Sequence, residues 1–336
     1  MNLHRLIRPL LFASLALATT ATGCMMEMEL GADTEASVCR GCGDNDDQYN
    51  DHRFGQFMTD GTFNQMGVAV VNLEVNGVYY QLDAIDNVLV GRTPTGAVGV
   101  AGPQLVGGHI NLEVDNGGTI EDWVIDIESI LNSPSLPSDW SEMGRSFTYY
   151  FFRVGLAGQS GRMNLCVGSS VTEYAALVTK GERYRFNTGV VAPPLVDNTN
   201  ALNLGCGDHA LQKMILLGYA QEITDPVYAT TPEQRQATLR MIRADYAGDG
   251  TSYTETGREL WWQNYDQWVI HGAAAFRPAN SLLEAYWTAD GAACANVSRV
   301  YNLLNNVGSL GIPNCSGFDP AVDAWEWVTY VVPDGP

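Results

Sequence analysis

One pattern constrains the fold of this chain more than any other: β-prone runs that break at residues able to take positive φ. Val68-Ala69-Val70-Val71-Asn72-Leu73-Glu74-Val75 leads into Asn76-Gly77, and Val78-Tyr79-Tyr80-Gln81-Leu82 leads away. Asn-Gly between two such runs is the strongest short hairpin signal, because both residues tolerate the left-handed backbone of a two-residue turn. The pattern returns at Ile110-Asn111-Leu112-Glu113-Val114, turns at Asp115-Asn116-Gly117-Gly118, and comes back as Trp123-Val124-Ile125-Asp126-Ile127. Further strands are expected over Phe147–Val154, Arg162–Val167 and Tyr174–Val178. Gly155-Leu156-Ala157-Gly158-Gln159-Ser160-Gly161 lacks the lysine and helix start of a phosphate loop and reads as a hairpin turn. Alternation with frequent glycine turns argues for antiparallel sheets with one wet face. The region 61–192 is therefore expected to be β-rich and sandwich-like.

Helices are expected only after the proline joint Val191-Ala192-Pro193-Pro194. Asp208 is read as the cap of a helix over His209–Leu217, ended by Gly218. Thr231-Pro232-Glu233-Gln234 has an N-cap threonine, proline in the first turn and a glutamine at the third helical position. That helix should run through Leu239 and Met241 to about Tyr246, with Gly248 and Gly250 beyond it. Tyr253–Trp268 reads as either strand or helix, and Ser281–Trp287 as a strand closing on Ala289-Asp290-Gly291. The fold class is a β-rich α+β protein whose smaller C-terminal part, 193–336, carries two short helices.

The first residues speak of location. Arg5 and Arg8 precede the apolar run Leu10–Ala18, and small residues end at Ala21-Thr22-Gly23-Cys24. A basic start, a short apolar core and a small-residue exit make a secretory signal, here 1–23. With a cysteine at the exit it resembles a bacterial lipoprotein signal, in which Cys24 becomes the lipidated first residue. Residues 24–60 are rich in Gly, Asp, Asn and Glu, include the run Asp44-Asn45-Asp46-Asp47, and read as a flexible acidic tether. The expected place is the bacterial cell envelope, at the outer membrane, on its periplasmic or surface side.

Charge excludes one class of partner. The chain carries 18 basic and 38 acidic residues, and without the signal 16 basic against 38 acidic leave −22. That field repels nucleic acids and anionic headgroups. Contact with the membrane is therefore expected through the lipid anchor only.

Seven cysteines are odd, but removing Cys24 leaves Cys39, Cys42, Cys166, Cys206, Cys294 and Cys315. In an exported chain these are disulfide candidates. Cys39 and Cys42 sit among glycines in the tether and read as a small closed loop. Cys294 with Cys315 and Cys166 with Cys206 are the preferred longer pairs, the latter tying the β part to the helical part.

The residues Arg240-Met241-Ile242-Arg243-Ala244-Asp245-Tyr246-Ala247-Gly248-Asp249-Gly250-Thr251-Ser252-Tyr253-Thr254 resemble the signature of the ADYC-domain family. These are exported bacterial proteins of unknown function. Cys206-Gly207-Asp208-His209-Ala210-Leu211-Gln212-Lys213 and Glu284-Ala285-Tyr286-Trp287-Thr288-Ala289-Asp290-Gly291-Ala292-Ala293-Cys294 fit the same family, and the likeness spans about 102–300. Ala247 stands in the place of the cysteine that gives the family its name. Thr238 and Met214 also stand where the family has cysteine. If the family cysteine at 247 is a nucleophile, this chain has lost its activity; if Thr238 and Ala247 replace a disulfide pair, their joint loss is harmless, and this second reading fits an exported fold better. The resemblance implies a location and no activity.

Candidate chemistry is sparse. Asp245 and Asp249-Gly250 echo a calcium loop, but Ala247 and Thr256 occupy two ligand positions. The preferred reading is a structural corner, in which Asp245 pairs with Arg240 or Arg243 and Asp249 takes backbone amides. No cofactor is expected. His52, His109, His209 and His271 are scattered, so a hydrolase triad with Ser and Asp requires convergence in space. Trp261-Trp262-Gln263-Asn264-Tyr265-Asp266-Gln267-Trp268 mixes rings with amides. Trp261, Tyr265 and Trp268 would share one helical face, and Trp261, Trp262, Tyr265 and Trp268 are candidates for stacking on a ligand. The leading expectation is a non-enzymatic binding or structural protein of the envelope, with surface carbohydrate or an envelope protein as partner. The alternative is an envelope hydrolase.

Overall fold

A computed structural model describes residues 53–133, 147–166, 174–184, 200–207, 209–220, 229–254, 260–265, 277, 279–299 and 307–331. The large sheet begins with β1 (Gln56–Met58), β2 (Val68–Val75), β3 (Val78–Ile85), β4 (Val88–Arg92) and β5 (Val98–Ala101). It continues through β6 (His109–Asp115), β7 (Ile120–Ser133), β8 (Phe147–Leu156), β9 (Met163–Asn164), β10 (Ala175–Lys180) and β11 (Ala201–Cys206). Its order is β1-β11-β10-β8-β7-β6-β2-β3-β4-β5, with β9 on β8, and the pairings are antiparallel.

Turn chemistry builds it. Asn76 and Gly77 take φ of 53° and 76° between β2 and β3, and Asp86 and Asn87 take 50° and 60° between β3 and β4. Bulges in β2, β5 and β7 bend the strands. The sheet folds over itself without closing into a barrel. Across the fold, Lys180 of β10 meets Asp83 of β3 at 2.5 Å, and the Leu89 amide of β4 donates to the Tyr150 hydroxyl of β8 at 2.8 Å. Leu73, Leu82, Leu89, Ile110, Ile125, Phe152 and Leu204 fill the space between.

Two boundaries differ from expectation. Gln56–Met58, read as tether, is a buried strand because it supplies the edge partner of β11. β11, beyond the proline joint, returns to the same sheet as β10.

The helices follow. α1 (Ala210–Leu216) has His209 at its N-cap with no side-chain cap bond, and Gly218 beyond it has φ 84°. Asp208, the expected cap, lies outside the described residues. α2 (Pro232–Arg243) carries a full capping box: Thr231 accepts from the Gln234 amide at 3.2 Å, and Gln234 accepts from the Thr231 amide at 2.8 Å. Such a cap contributes about 1 kcal/mol. The helix stops short of Tyr246 because Ala244 turns left-handed, with φ 50°.

The small sheet comprises β12 (Leu260–Asn264), β13 (Leu282–Thr288), β14 (Gly291–Ala295) and β15 (Trp327–Val331), in the order β12-β15-β13-β14. Both helices pack on its inner face: Trp262, Trp287 and Trp327 share a core with Leu211, Met214, Leu239 and Met241, which Tyr149 and Leu177 of the large sheet join. The helices thus form a layer between the two sheets. The helical reading of Trp261, Tyr265 and Trp268 is corrected here: residues 260–264 are a strand, paired with β15 in register from Leu260↔Val331 to Asn264↔Trp327.

Among the described residues two disulfides form, Cys166–Cys206 and Cys294–Cys315. The first closes within the large sheet where the chain leaves β11 for α1. The second joins β14 to a tight turn at Cys315–Gly317. Cys24, Cys39 and Cys42 lie outside the described residues.

Candidate functional site

The corner after α2 seats the chain's most distinctive sequence on the small sheet. Once Ala244 turns, Asp245 is drawn into full burial. Its Oδ2 accepts from Arg240 Nη1 and, at 2.9 Å, from the Gly250 amide. Its Oδ1 is buried with no hydrogen-bond partner among the described residues. Burial pushes this carboxyl above its usual range against the opposing charge of Arg240. Asp249 is exposed and accepts the Thr251 amide at 2.8 Å, a bond that holds its carboxyl below the usual range. The two carboxylates have separate partners. Among the described residues no three His, Cys, Asp or Glu side chains come together as a metal site.

Glycines allow the corner to touch the β13–β14 turn backbone to backbone. Gly248 has φ 69°, and a Cβ there would overlap the carbonyl of Asp290; Gly291 has φ 118°, and a Cβ there would stand 2.5 Å from the carbonyl oxygen of Tyr246. The Ala292 amide donates to that same carbonyl at 2.9 Å. Beneath lies a buried cluster. Tyr246 donates to Glu284 Oε1 at 2.5 Å, Arg299 Nε donates to the same oxygen at 2.7 Å, and Arg299 Nη2 reaches Glu284 Oε2 at 3.1 Å. The Arg299 amide donates to the Tyr246 hydroxyl at 3.0 Å, and Arg299 Nη1 to the Ile242 carbonyl at 3.2 Å. Burial, reinforced by Glu284, drives the Tyr246 hydroxyl far up, so it stays a donor. Glu284 and Arg299 have no solvent exposure, so the cluster holds α2 to the sheet and meets no ligand.

The outer face of the same sheet is different. Adjacent strand residues point to opposite faces. Trp262 and Trp287 therefore point inward, while Trp261 and Tyr286 point outward. A row of rings crosses this outer face. Tyr265 meets Trp325 edge-on at 5.1 Å, Trp325 meets Tyr286 edge-on at 5.2 Å, and Tyr286 stacks on Phe318 at 4.6 Å. Trp261 meets Tyr330 edge-on at 5.4 Å. Tyr265 is 54% exposed, and Trp325, Tyr286, Phe318 and Tyr330 are half-buried. The row is held still: the Trp325 indole donates to the Pro320 carbonyl at 3.0 Å, and the Cys294–Cys315 disulfide anchors the segment that bears Phe318.

Of the four predicted stacking residues, Tyr265 is open to solvent, Trp261 is outward but buried, and Trp262 is core. Trp268 lies outside the described residues, as do His52 and His271. Tyr286, Phe318, Trp325 and Tyr330 were not expected, since three separate segments bring them together. The doublet Tyr286-Trp287 held a signal: in a strand, one ring of such a pair must face out.

The described histidines do not form a triad. His109 Nδ1 lies 2.6 Å from Asp126 Oδ1, which also receives Arg162, and no serine bonds either residue among the described residues. At the start of α1, burial and then the charge of Lys213 pull His209 down to about 4, so its imidazole is neutral at pH 7.

A groove of about 370 Å³ lies on the large sheet, lined by Thr59, Asn72, Tyr79, Tyr80, Gln81 and Arg92 among others. Its polar lining is engaged with the protein: Gln81 donates to the Thr59 carbonyl, Asn72 accepts from Asn111, and Arg92 pairs with Asp83. No helix among the described residues is long and apolar enough to cross a membrane.

At the signature corner, Ala247 is exposed, so a cysteine at that position would be a surface thiol. Thr238 is buried, donates to the Gln234 carbonyl and accepts the Trp327 indole N–H at 2.9 Å. Met214 lies in the helical core. No curated protein and no solved structure matches the chain. The family model of the ADYC domain matches residues 102–301, from the turn after β5 through β14. That match takes in well over half of the chain, including the whole signature corner and its buried Tyr246–Glu284–Arg299 cluster, and the protein belongs to the ADYC-domain family.

Proposed function

We propose that this is a lipid-anchored, non-enzymatic binding protein of the bacterial envelope, whose small sheet presents its outer aromatic face to carbohydrate. The observation that carries the reading is the row Tyr265–Trp325–Tyr286–Phe318, partly exposed and fixed by a disulfide and an indole hydrogen bond. Rings expose broad apolar area at little cost in side-chain entropy, and the C–H faces of a pyranose offer a matching surface. Gln263 and the Tyr286 and Tyr330 hydroxyls add polar groups for ring substituents. Cys24 and the acidic segment after it support a tethered location.

Two measurements test this. The intact mass of the membrane-extracted protein should show acyl chains on a chain that begins at Cys24; an unmodified soluble chain overturns the anchor. Titration of the full chain with neutral oligosaccharides should quench tryptophan fluorescence, and Tyr286→Ala or Trp325→Ala should remove the response. Absence of binding, or binding indifferent to both substitutions, overturns the carbohydrate face.

A further inference from the structure

We infer that the saccharide bound by this face carries a carboxylate, and that Arg277 recognises it. This rests on the carbohydrate reading of the aromatic row and names the ligand class for it. The guanidinium of Arg277 lies 4.3 Å from the centre of the Tyr330 ring. Arg277 is exposed and makes no ion pair among the described residues. In a chain of net charge −20, Arg92, Arg153, Arg162, Lys180, Arg235, Arg240 and Arg299 each meet a carboxylate, whereas Arg277 is committed to a ring. A guanidinium over a ring face makes a cation–π contact that uses none of its N–H donors, and those donors match a carboxylate in fork geometry.

Arg277 sits over Tyr330, near one end of β15, and its charge reaches the Tyr286 hydroxyl, where it opposes the upward push of burial. Asp319 and Asp323, in the segment before β15, are occupied locally. Asp319 Oδ1 accepts the Ala321 amide at 3.0 Å, and Asp323 Oδ2 accepts the Asp319 amide at 2.8 Å. A carboxylate on a sugar stacked at the Tyr330 end of the face therefore meets a local positive charge within an otherwise acidic protein. A uronic acid unit, or a sugar bearing a carboxylic ether, fits this pattern.

The probes are a hexuronic acid oligomer and the same oligomer with its carboxyls reduced to alcohols, each titrated into the full chain. The acidic oligomer should bind at least about tenfold more tightly than its reduced form, as expected for a charge-assisted pair. Rising salt should shrink that ratio. Arg277→Gln should bring the two affinities to within about twofold, still in the range of the reduced oligomer, and Arg277→Lys should restore part of the preference. Equal binding of both probes by wild type, unchanged in Arg277→Gln, overturns the inference and leaves the carbohydrate face standing. Failure of both probes and of neutral oligosaccharides overturns the face itself. Arg277 is exposed, so an unaltered melting curve for Arg277→Gln will show that the variant folds.

Discussion

The two faces of the small sheet use the same residue types for opposite ends. Inside, Trp262, Trp287 and Trp327 are closed off by α1 and α2, and Glu284, Tyr246 and Arg299 satisfy one another in the dark. Outside, Tyr265, Trp325, Tyr286 and Tyr330 keep part of their surface in water. Aromatic content therefore says little about role until the strand phase is known. The buried residues of the family signature, Asp245 and Tyr246, lie on the inner side, against the small sheet. What those residues make, in this chain, is a join between helix and sheet.

That contrast can be broken by mutation. The largest effect is expected inside. Glu284→Gln leaves the Arg299 guanidinium buried without its countercharge, a loss of about 3–5 kcal/mol. Urea unfolding will measure it, and a loss below about 1 kcal/mol would deny the cluster its role. Acid should come next. The unfolded chain binds a proton on His209 near pH 6.5, while the folded chain resists until about 4. Stability from this group is full above pH 6.5 and is lost as pH falls toward 4, by up to about 3 kcal/mol. His209→Gln should flatten that part of the pH profile if the variant keeps its fold.

Smaller effects sharpen the boundary between the faces. Gly248→Ala forces a left-handed alanine against the Asp290 carbonyl and should cost about 1–3 kcal/mol from backbone strain, read as a fall in melting temperature. Trp325→Ala is expected to move stability least, by less than about 1 kcal/mol, yet to weaken oligosaccharide binding at least about tenfold. A Trp325→Ala protein that unfolds easily and still binds sugar would reverse the assignment of the two faces.

Much of the large sheet is legible in sequence because its turns need unusual backbone. Asn76-Gly77, Asp115-Asn116-Gly117-Gly118 and the Thr231–Gln234 capping box each name their structure through a local requirement. Segment 260–264 is not legible that way. Five largely apolar residues fit a buried strand or one turn of helix equally well, and only the pairing with β15 decides. The two boundary differences share that cause: β1 and β11 are strands because distant partners accept them. The aromatic face was half visible. Its rings at 261 and 265 stand in one cluster, whereas Tyr286, Phe318, Trp325 and Tyr330 reach it through long-range register and a disulfide. Arg277 gave no signal at all, since an exposed arginine acquires meaning only from the ring beneath it.

The position of β15 bears on how such a molecule is made. It follows β12, β13 and β14 in the chain, yet it stands between β12 and β13 and is the strand to which β12 pairs. A chain that folds in order of synthesis holds α2, β12 and the β13–β14 hairpin with a strand-wide gap until Trp327–Val331 arrives. During that interval the facing edges of β12 and β13 are open templates for a strand from any neighbouring molecule. A chain cut near residue 326 should thus yield not a quiet fragment but a sticky one, prone to pair with its neighbours.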